Sequence, residues 1–312
     1  MNTILNSALT LTYNQLSDFS GLDNFWQVFD TAFGTQYNRS GAEILRLQWQ
    51  AGNFSQLPQI EILDSNILGG ANGAYASSTN KIYLSNSFLA NATTEAISAV
   101  LLEEIGHFVD AQINQTDSAG DEGAIFATLV QGYSLNAQSL TNLRAENDYA
   151  TITVNGEELI VEQSTVSTTD LNTVTATQLV NTLLGSGITA SNITFTGANV
   201  AGGVFSGGIG AGIGIENGII LSTGNIAFAQ GPNNSTGQGL GNGKPGDSNL
   251  NAIVSPLTTN DAAVLEFDFI PSTTTLSFSY VFASEEYYEY VNSSFNDVFA
   301  FYLETSTKKM IQ

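Results

Sequence analysis

The chain has 312 residues, long enough for two domains, and sets seven basic residues against 29 acidic ones for a formal net charge of −22. That balance offers no basic footprint to nucleic acid, would be repelled by an anionic membrane surface, and suits solubility and cation binding. There is no cysteine, which excludes disulfides and thiolate chemistry, and the 42% hydrophobic, 12% charged composition marks a globular rather than a disordered chain.

The opening stretch, "MNTILNSALTLTYNQLSDFSG", has neither a basic start nor a long apolar run. No Sec signal peptide is therefore expected, and export would need a non-Sec route. No segment approaches the roughly 20 apolar residues of a membrane span. In "GLDNFWQVFDTAFG", Leu22, Phe25, Trp26, Phe29 and Phe33 recur at three- and four-residue spacing, which predicts a helix, and "SGAEILRLQWQAG" continues in the same manner. "PQIEILD" and "KIYLSNSFL" read as short strands, with "GGANGAYASSTN" between them as loop and edge strand. A long helix is expected over Thr94 to Ile113, and "GDEGAIFATLVQGYSLN" begins another. "YATITVNGEELIVEQ" predicts a hairpin turning at Asn155-Gly156. These elements make an α+β domain over residues 1–163, followed by a Ser/Thr-rich linker, 164–174.

From 175 to 312 the pattern changes. A short helix fits "TATQLVNTLLGSG", and then strict alternation takes over. Leu265, Phe267 and Phe269 alternate with Glu266 and Asp268; Leu276, Phe278, Tyr280 and Phe282 follow; Phe299, Phe301 and Leu303 close the series. Such alternation predicts half-buried antiparallel strands in an all-β sandwich. The glycine-rich "GGVFSGGIGAGIGIENG" lacks G-K-[ST] and a following helix, so it reads as turns between strands rather than a phosphate loop.

The chain's single histidine, His107, lies in "AVLLEEIGHFVD". At 100° per residue, Ile97, Val100, Leu101, Ile105 and Phe108 occupy one apolar arc of roughly 140°. Glu103, His107 and Asp110 share a neighbouring stripe, and Glu104 falls inside the apolar arc, where a carboxylate is costly unless paired or bound to a cation. "EEIGH" keeps the spacing of H-E-x-x-H, in which two histidines on successive turns bind zinc and the glutamate between them activates a bound water. Glu103 and His107 are the expected metal ligands and Glu104 the expected catalytic base. Glu122, in "GDEGAIFA", is the expected third ligand, with Asp110 and Asp121 as rivals. Two carboxylates beside one imidazole favour harder ions over zinc.

"GAYASSTNKIYLSNSFL", "AISAVLLEEIGHFVD" and "GDEGAIFA", over about residues 60 to 135, together resemble a zincin metallopeptidase of the gluzincin type, with Glu103 where the first histidine ligand would stand. The resemblance implies a metal-activated water cleaving a peptide or protein substrate laid as an added strand along Gly73, Ala74, Tyr75 and Ala76. The ion would be zinc or manganese in a catalytic site and calcium in a structural one.

"DLNTVTATQLVNTLLGSGITASNITFTGANVAGGVFSGG", then "IGIENGIILSTGN", "PGDSNLNAIV" and above all "FASEEYYEYVNSSFNDVFAF" resemble the choice-of-anchor L domain, over about residues 170 to 303. This implies an extracellular β-sandwich module of a bacterial (cyanobacterial) exported or surface protein, without assigned catalysis. By analogy the sandwich is expected to be incomplete, because several strands of the family domain would follow "FAFYL". The crowded carboxylates Glu285, Glu286, Glu289 and Asp297, joined by Asp247, read either as a calcium site or as a solvated acidic loop. Two functions follow: a metal-dependent peptidase with a β-sandwich accessory, or a non-catalytic, calcium-binding adhesion protein that meets an extracellular surface ligand.

Overall fold

A computed structural model describes residues 2–135, 137–163, 166–184, 188–209, 211, 213–230, 239, 241–271, 275–283, 290, 297–305 and 308–311. The chain forms two compact units, one of residues 1–167 with 206–217 and one of 168–205 with 218–312.

The first unit opens with α1 (Asn2–Ser20), which the sequence reading passed over although Ala8, Leu16 and Phe19 recur on one face and are buried. Next come α2 (Phe25–Phe33) and α3 (Arg39–Gln50); Leu22, expected on the α2 face, precedes the helix and is exposed. The strands β1 (Gln59–Leu63), β2 (Gly73–Ala76) and β3 (Lys81–Ser85) are followed by α4 (Asn86–Asn91), α5 (Thr94–Ile113), α6 (Glu122–Val130) and α7 (Ala137–Leu143). The hairpin β4 (Tyr149–Val154) and β5 (Glu157–Glu162) completes a five-stranded sheet ordered β1-β3-β2-β5-β4. The hairpin turns through positive φ at both Asn155 (53°) and Gly156 (87°), the backbone that the Asn-Gly pair favours.

Alternation along the strands divides the sheet. Tyr75, Ile82 and Leu84 join the main core beneath the helices, and Ala74, Ala76 and Tyr83 join a smaller cluster with Ile152, Val154 and Val161 on the opposite face. The main core is dense in aromatics: Phe126 lies 5.6 Å from Phe19, 5.4 Å from Phe33 and 6.1 Å from Trp49 between ring centroids. Ile209, from the 206–217 segment, is buried in the same core.

β2 corrects one expectation. The stretch Gly73, Ala74, Tyr75 and Ala76 is not an edge open to a peptide: it pairs with β3 along its length, meets β5 where Tyr75 faces Glu162, and is buried throughout. The β4–β5 hairpin meets β2 at this one residue pair.

In the second unit, β6 (Ser167–Asp170) arises inside the stretch expected as a linker, its β-branched threonines suiting an extended backbone. It lies in a three-stranded sheet, β6-β8-β9, with β8 (Gly202–Ser206) and β9 (Gly218–Leu221). α8 (Ala176–Leu183) carries a capping box of Thr175 and Gln178, and β7 (Thr189–Thr196) pairs antiparallel with β10 (Val264–Ile270). Between them lies α9 (Ser248–Val254), and β11 (Tyr302–Thr305) pairs with β12 (Lys308–Ile311). Among its described residues the unit is thus sheet-bearing, with two α-helices. Of the alternating stretches, 264–270 forms a strand, whereas 276–282 and 299–301 do not. Their side chains nevertheless meet in antiparallel order, Phe278 with Phe301 at 4.3 Å and Tyr280 with Phe299 at 5.6 Å. The aromatic pattern places them side by side without a ladder of backbone hydrogen bonds.

Candidate metal centre

α5 is buried nearly all round. Its N-cap is Thr93, whose side chain accepts from the Ala96 amide at 3.2 Å, and Ser98 joins Thr12 of α1 at 2.8 Å. The expected apolar arc is buried, and so is the polar stripe: Glu103 and His107 are 0% exposed, Glu104 and Asp110 1%. A solvated stripe is excluded, so these groups must find their compensation inside the protein.

α5 and α6 approach at two glycines. A Cβ on Gly106 would lie 2.7 Å from the Gly123 Cα, and one on Gly123 would lie 2.5 Å from His107 Nε2. The glycines let the imidazole edge bearing Nε2 rest against the α6 backbone, which turns Nδ1 the other way. On the far side of α5, Gly73 makes room for Glu104, since a Cβ there would meet its Oε1 at 2.6 Å.

His107 Nδ1 and Glu122 Oε1 are hydrogen-bonded at 2.9 Å. Glu162 Oε2 stands 3.1 Å and Asp148 Oδ2 3.8 Å from the same nitrogen. A ring nitrogen makes at most one hydrogen bond, and the contact with Glu122 is the shorter of the two. Glu162 is therefore in contact but not in a second hydrogen bond, and Glu122 Oε2, Asp148 Oδ2 and Glu162 Oε2 accept none. Across the ring, Nε2 is 3.9 Å from Asp121 Oδ1, and that oxygen already accepts from the Ala124 amide at 2.7 Å as the N-cap of α6.

The electrostatics follow from this crowding. Burial alone would lower the His107 pKa, but the charge and hydrogen bond of Glu122, then Glu162 and Asp121, hold it well above its ordinary value. Burial raises Glu122 to about 8 against the pull of His107, and raises Asp148 to about 7. Glu104 is driven well up by burial, opposed by His107 and reinforced by Asp121, Glu162 and Asp148.

Ligand atoms of His107, Glu122, Asp148 and Glu162 all lie within 4.8 Å of one another, as do those of Glu103, His107 and Asp121, and of Asp110, Asp117 and Glu122. The expected residues Glu103, His107 and Glu122 are thus brought together around one ring, on its two sides. Asp110 is turned to the loop after α5, where it accepts from the Asn114 side chain at 2.7 Å and the Ser118 amide at 3.2 Å. The sequence reading missed Asp148 and Glu162. No helical spacing links them to His107, but they flank the Asn155-Gly156 turn almost evenly, so a hairpin reading was enough to bring them together. A cavity of about 400 Å³ lies between residues 66–69 and β4, and its walls include none of Glu103, Glu104, His107 or Glu122.

The second calcium expectation fares differently. Glu285, Glu286 and Glu289 lie outside the described residues. Asp247 is the N-cap of α9, accepting from the Asn249 and Leu250 amides at 2.8 and 3.0 Å, and Asp297 is exposed. Among the described residues, no group of three ligating side chains includes either.

Fold and site together define a two-unit protein, an α+β unit built around a buried histidine–carboxylate cluster and a sheet-bearing unit after it. Residues 165–312 match the choice-of-anchor L domain family, which makes this a surface-associated protein. No curated protein and no solved structure matches the chain. Among the described residues, no helix is long and apolar enough to cross a membrane.

Proposed function

We propose that the first unit of this surface-associated protein is a zincin-like domain that holds a divalent cation in a closed site, where the ion maintains the fold instead of cleaving peptides. The zincin-like part rests on E-E-x-x-H in α5 beneath the antiparallel strand β2, with α6 supplying the next carboxylate. The observation that carries the closed reading is burial: Glu103, Glu104, His107 and Glu122 are at most 1% exposed, and β2 is flanked on both sides. A peptidase needs an open coordination position and a substrate beside it. Here the β4–β5 hairpin lies where that substrate would lie. The second unit supplies the surface association and contact with an extracellular ligand.

The test is metal content and peptidase activity of the full chain. After loading with manganese, zinc or calcium and desalting, elemental analysis is expected to find one ion per chain, lost in His107→Ala, with no cleavage of unfolded protein substrates. Both tryptophans, Trp26 and Trp49, are in the first unit, so its melting is read by their fluorescence, and chelator is expected to lower that midpoint. Metal-dependent proteolysis abolished by Glu104→Gln would overturn the closed reading in favour of the enzyme. A chain that retains no ion would overturn the metal site itself.

A further inference from the structure

On the closed-site reading, we propose that the ion's ligands are His107 Nδ1, Glu122, Asp148 and Glu162, so that the β4–β5 hairpin is a ligand-bearing arm and the cation fastens it to the sheet. This set differs from the one that helical spacing suggests, because two of its members come from the hairpin.

Three observations carry it. First, the distances fit. Two donors bound at right angles to one small divalent ion, each ~2.1 Å from it, stand ~3 Å apart. Glu122 Oε1 and Glu162 Oε2 are 2.9 and 3.1 Å from Nδ1, and Asp148 Oδ2, at 3.8 Å, fits a wider angle. Second, the free oxygens point there. Glu122 Oε2, Asp148 Oδ2 and Glu162 Oε2 are buried without a hydrogen bond on residues 0%, 8% and 8% exposed. Such atoms are costly unless a cation takes up their lone pairs. Third, the rival group on the Nε2 side is compromised, since its Asp121 oxygen is committed to capping α6 and Gly123 backbone crowds the ring edge.

The arm needs this fastening. Asp148 directly precedes β4 and Glu162 ends β5, so both stand at the open end of the hairpin, where the Gln163 amide donates to the Asp148 carbonyl at 2.9 Å. β5 joins the rest of the sheet at one residue pair, Tyr75 with Glu162. A two-stranded hairpin is marginal by itself. An ion shared with α5 and α6 ties it down at the residue where it meets β2. With Nδ1 on the ion, Nε2 keeps its hydrogen and faces Asp121. Three carboxylates and one imidazole suit manganese(II): the oxygens favour a hard ion, and the nitrogen disfavours calcium.

The experiment is manganese titration of the full chain by calorimetry, with hydrogen exchange read over residues 148–162. Asp148→Asn and Glu162→Gln are each expected to weaken manganese binding at least tenfold, with tryptophan fluorescence unchanged, and Glu103→Gln to weaken it less than threefold. In the unmutated chain, manganese is expected to slow amide exchange across β4 and β5; this readout needs no variant to fold. Loss of binding in Glu103→Gln with retention in both hairpin variants would overturn the ligand set and leave the closed-site reading standing. Manganese bound without any added protection of the hairpin would overturn the fastening role. A chain that binds none of manganese, zinc and calcium would overturn both readings at once, and one that binds calcium alone would overturn the manganese assignment.

Discussion

Replacing Gly106 with alanine sets two physical effects of opposite sign against each other. Position 106 is in the middle of α5, where alanine is favoured over glycine by about 1 kcal/mol from backbone entropy alone. The added Cβ, however, would lie 2.7 Å from the Gly123 Cα, 3.2 Å from the Gly123 carbonyl oxygen and 3.2 Å from the Phe126 Cβ. Carbon atoms pack at ~3.5–4.0 Å, so α5 and α6 must part by about 1 Å. The nearest atoms are backbone and cannot rotate away. Overpacking of this kind costs about 1–3 kcal/mol and occasionally more. With backbone as the nearest atoms the steric term falls in the upper part of that range, about 2–3 kcal/mol, so it outweighs the propensity gain and Gly106→Ala is expected to destabilise the first unit by about 1–2 kcal/mol. Parting the helices also separates His107 from Glu122, so the variant is expected to bind manganese more weakly. Urea unfolding of the full chain followed by tryptophan fluorescence reports on this unit, because Trp26 and Trp49 both belong to it. An unchanged or higher midpoint would refute the account of the helix crossing.

Further outcomes are expected elsewhere. Gly156→Ala places a side chain at φ 87° in the hairpin turn, costs about 1 kcal/mol and is expected to speed amide exchange of β4 and β5 about fivefold; unchanged exchange would count against the turn assignment. Thr175→Ala removes the capping box that Thr175 shares with Gln178, at about 1 kcal/mol, and faster exchange at residues 179–183 is the readout. Glu216 is raised to about 8, first by burial and then by the charge of Asp121, although it accepts the amides of Gly207 and Ile209 at 3.0 and 3.2 Å. A carboxyl raised from 4.5 binds its proton more tightly in the folded state, so its contribution is fully present below about pH 4.5 and is lost as pH rises through about 8. Relative to the unmutated chain, Glu216→Gln is expected to gain stability at pH 8–9 and not at pH 4–5; a constant difference across that range would refute it.

Some of this protein is written in local pattern. The four-residue spacing of Phe25, Phe29 and Phe33, the long helix from Thr94 to Ile113, and the Asn155-Gly156 turn depend on neighbours close in the chain, and all are legible from it. So is the placing of Glu103 and His107 on one face of α5, because positions four apart share a helix face. The family of the second unit was likewise readable from one long motif.

Tertiary packing decided the rest. Amphipathic reasoning assumes one wet face, and α5 has none, since α1, α6 and β2 cover it together. Whether β2 is an edge depends on where a hairpin more than 70 residues later returns, and that is a matter of pairing between distant strands, not of local propensity. The same return carries Asp148 and Glu162 to His107. The paired glycines at 106 and 123 leave no periodic signal, yet they set which imidazole nitrogen faces the carboxylates. Sequence alone thus determined which chemical groups are present and which helix carries them. Only the fold decided which of those groups meet, because close contact between residues far apart in the chain is set by how whole elements pack.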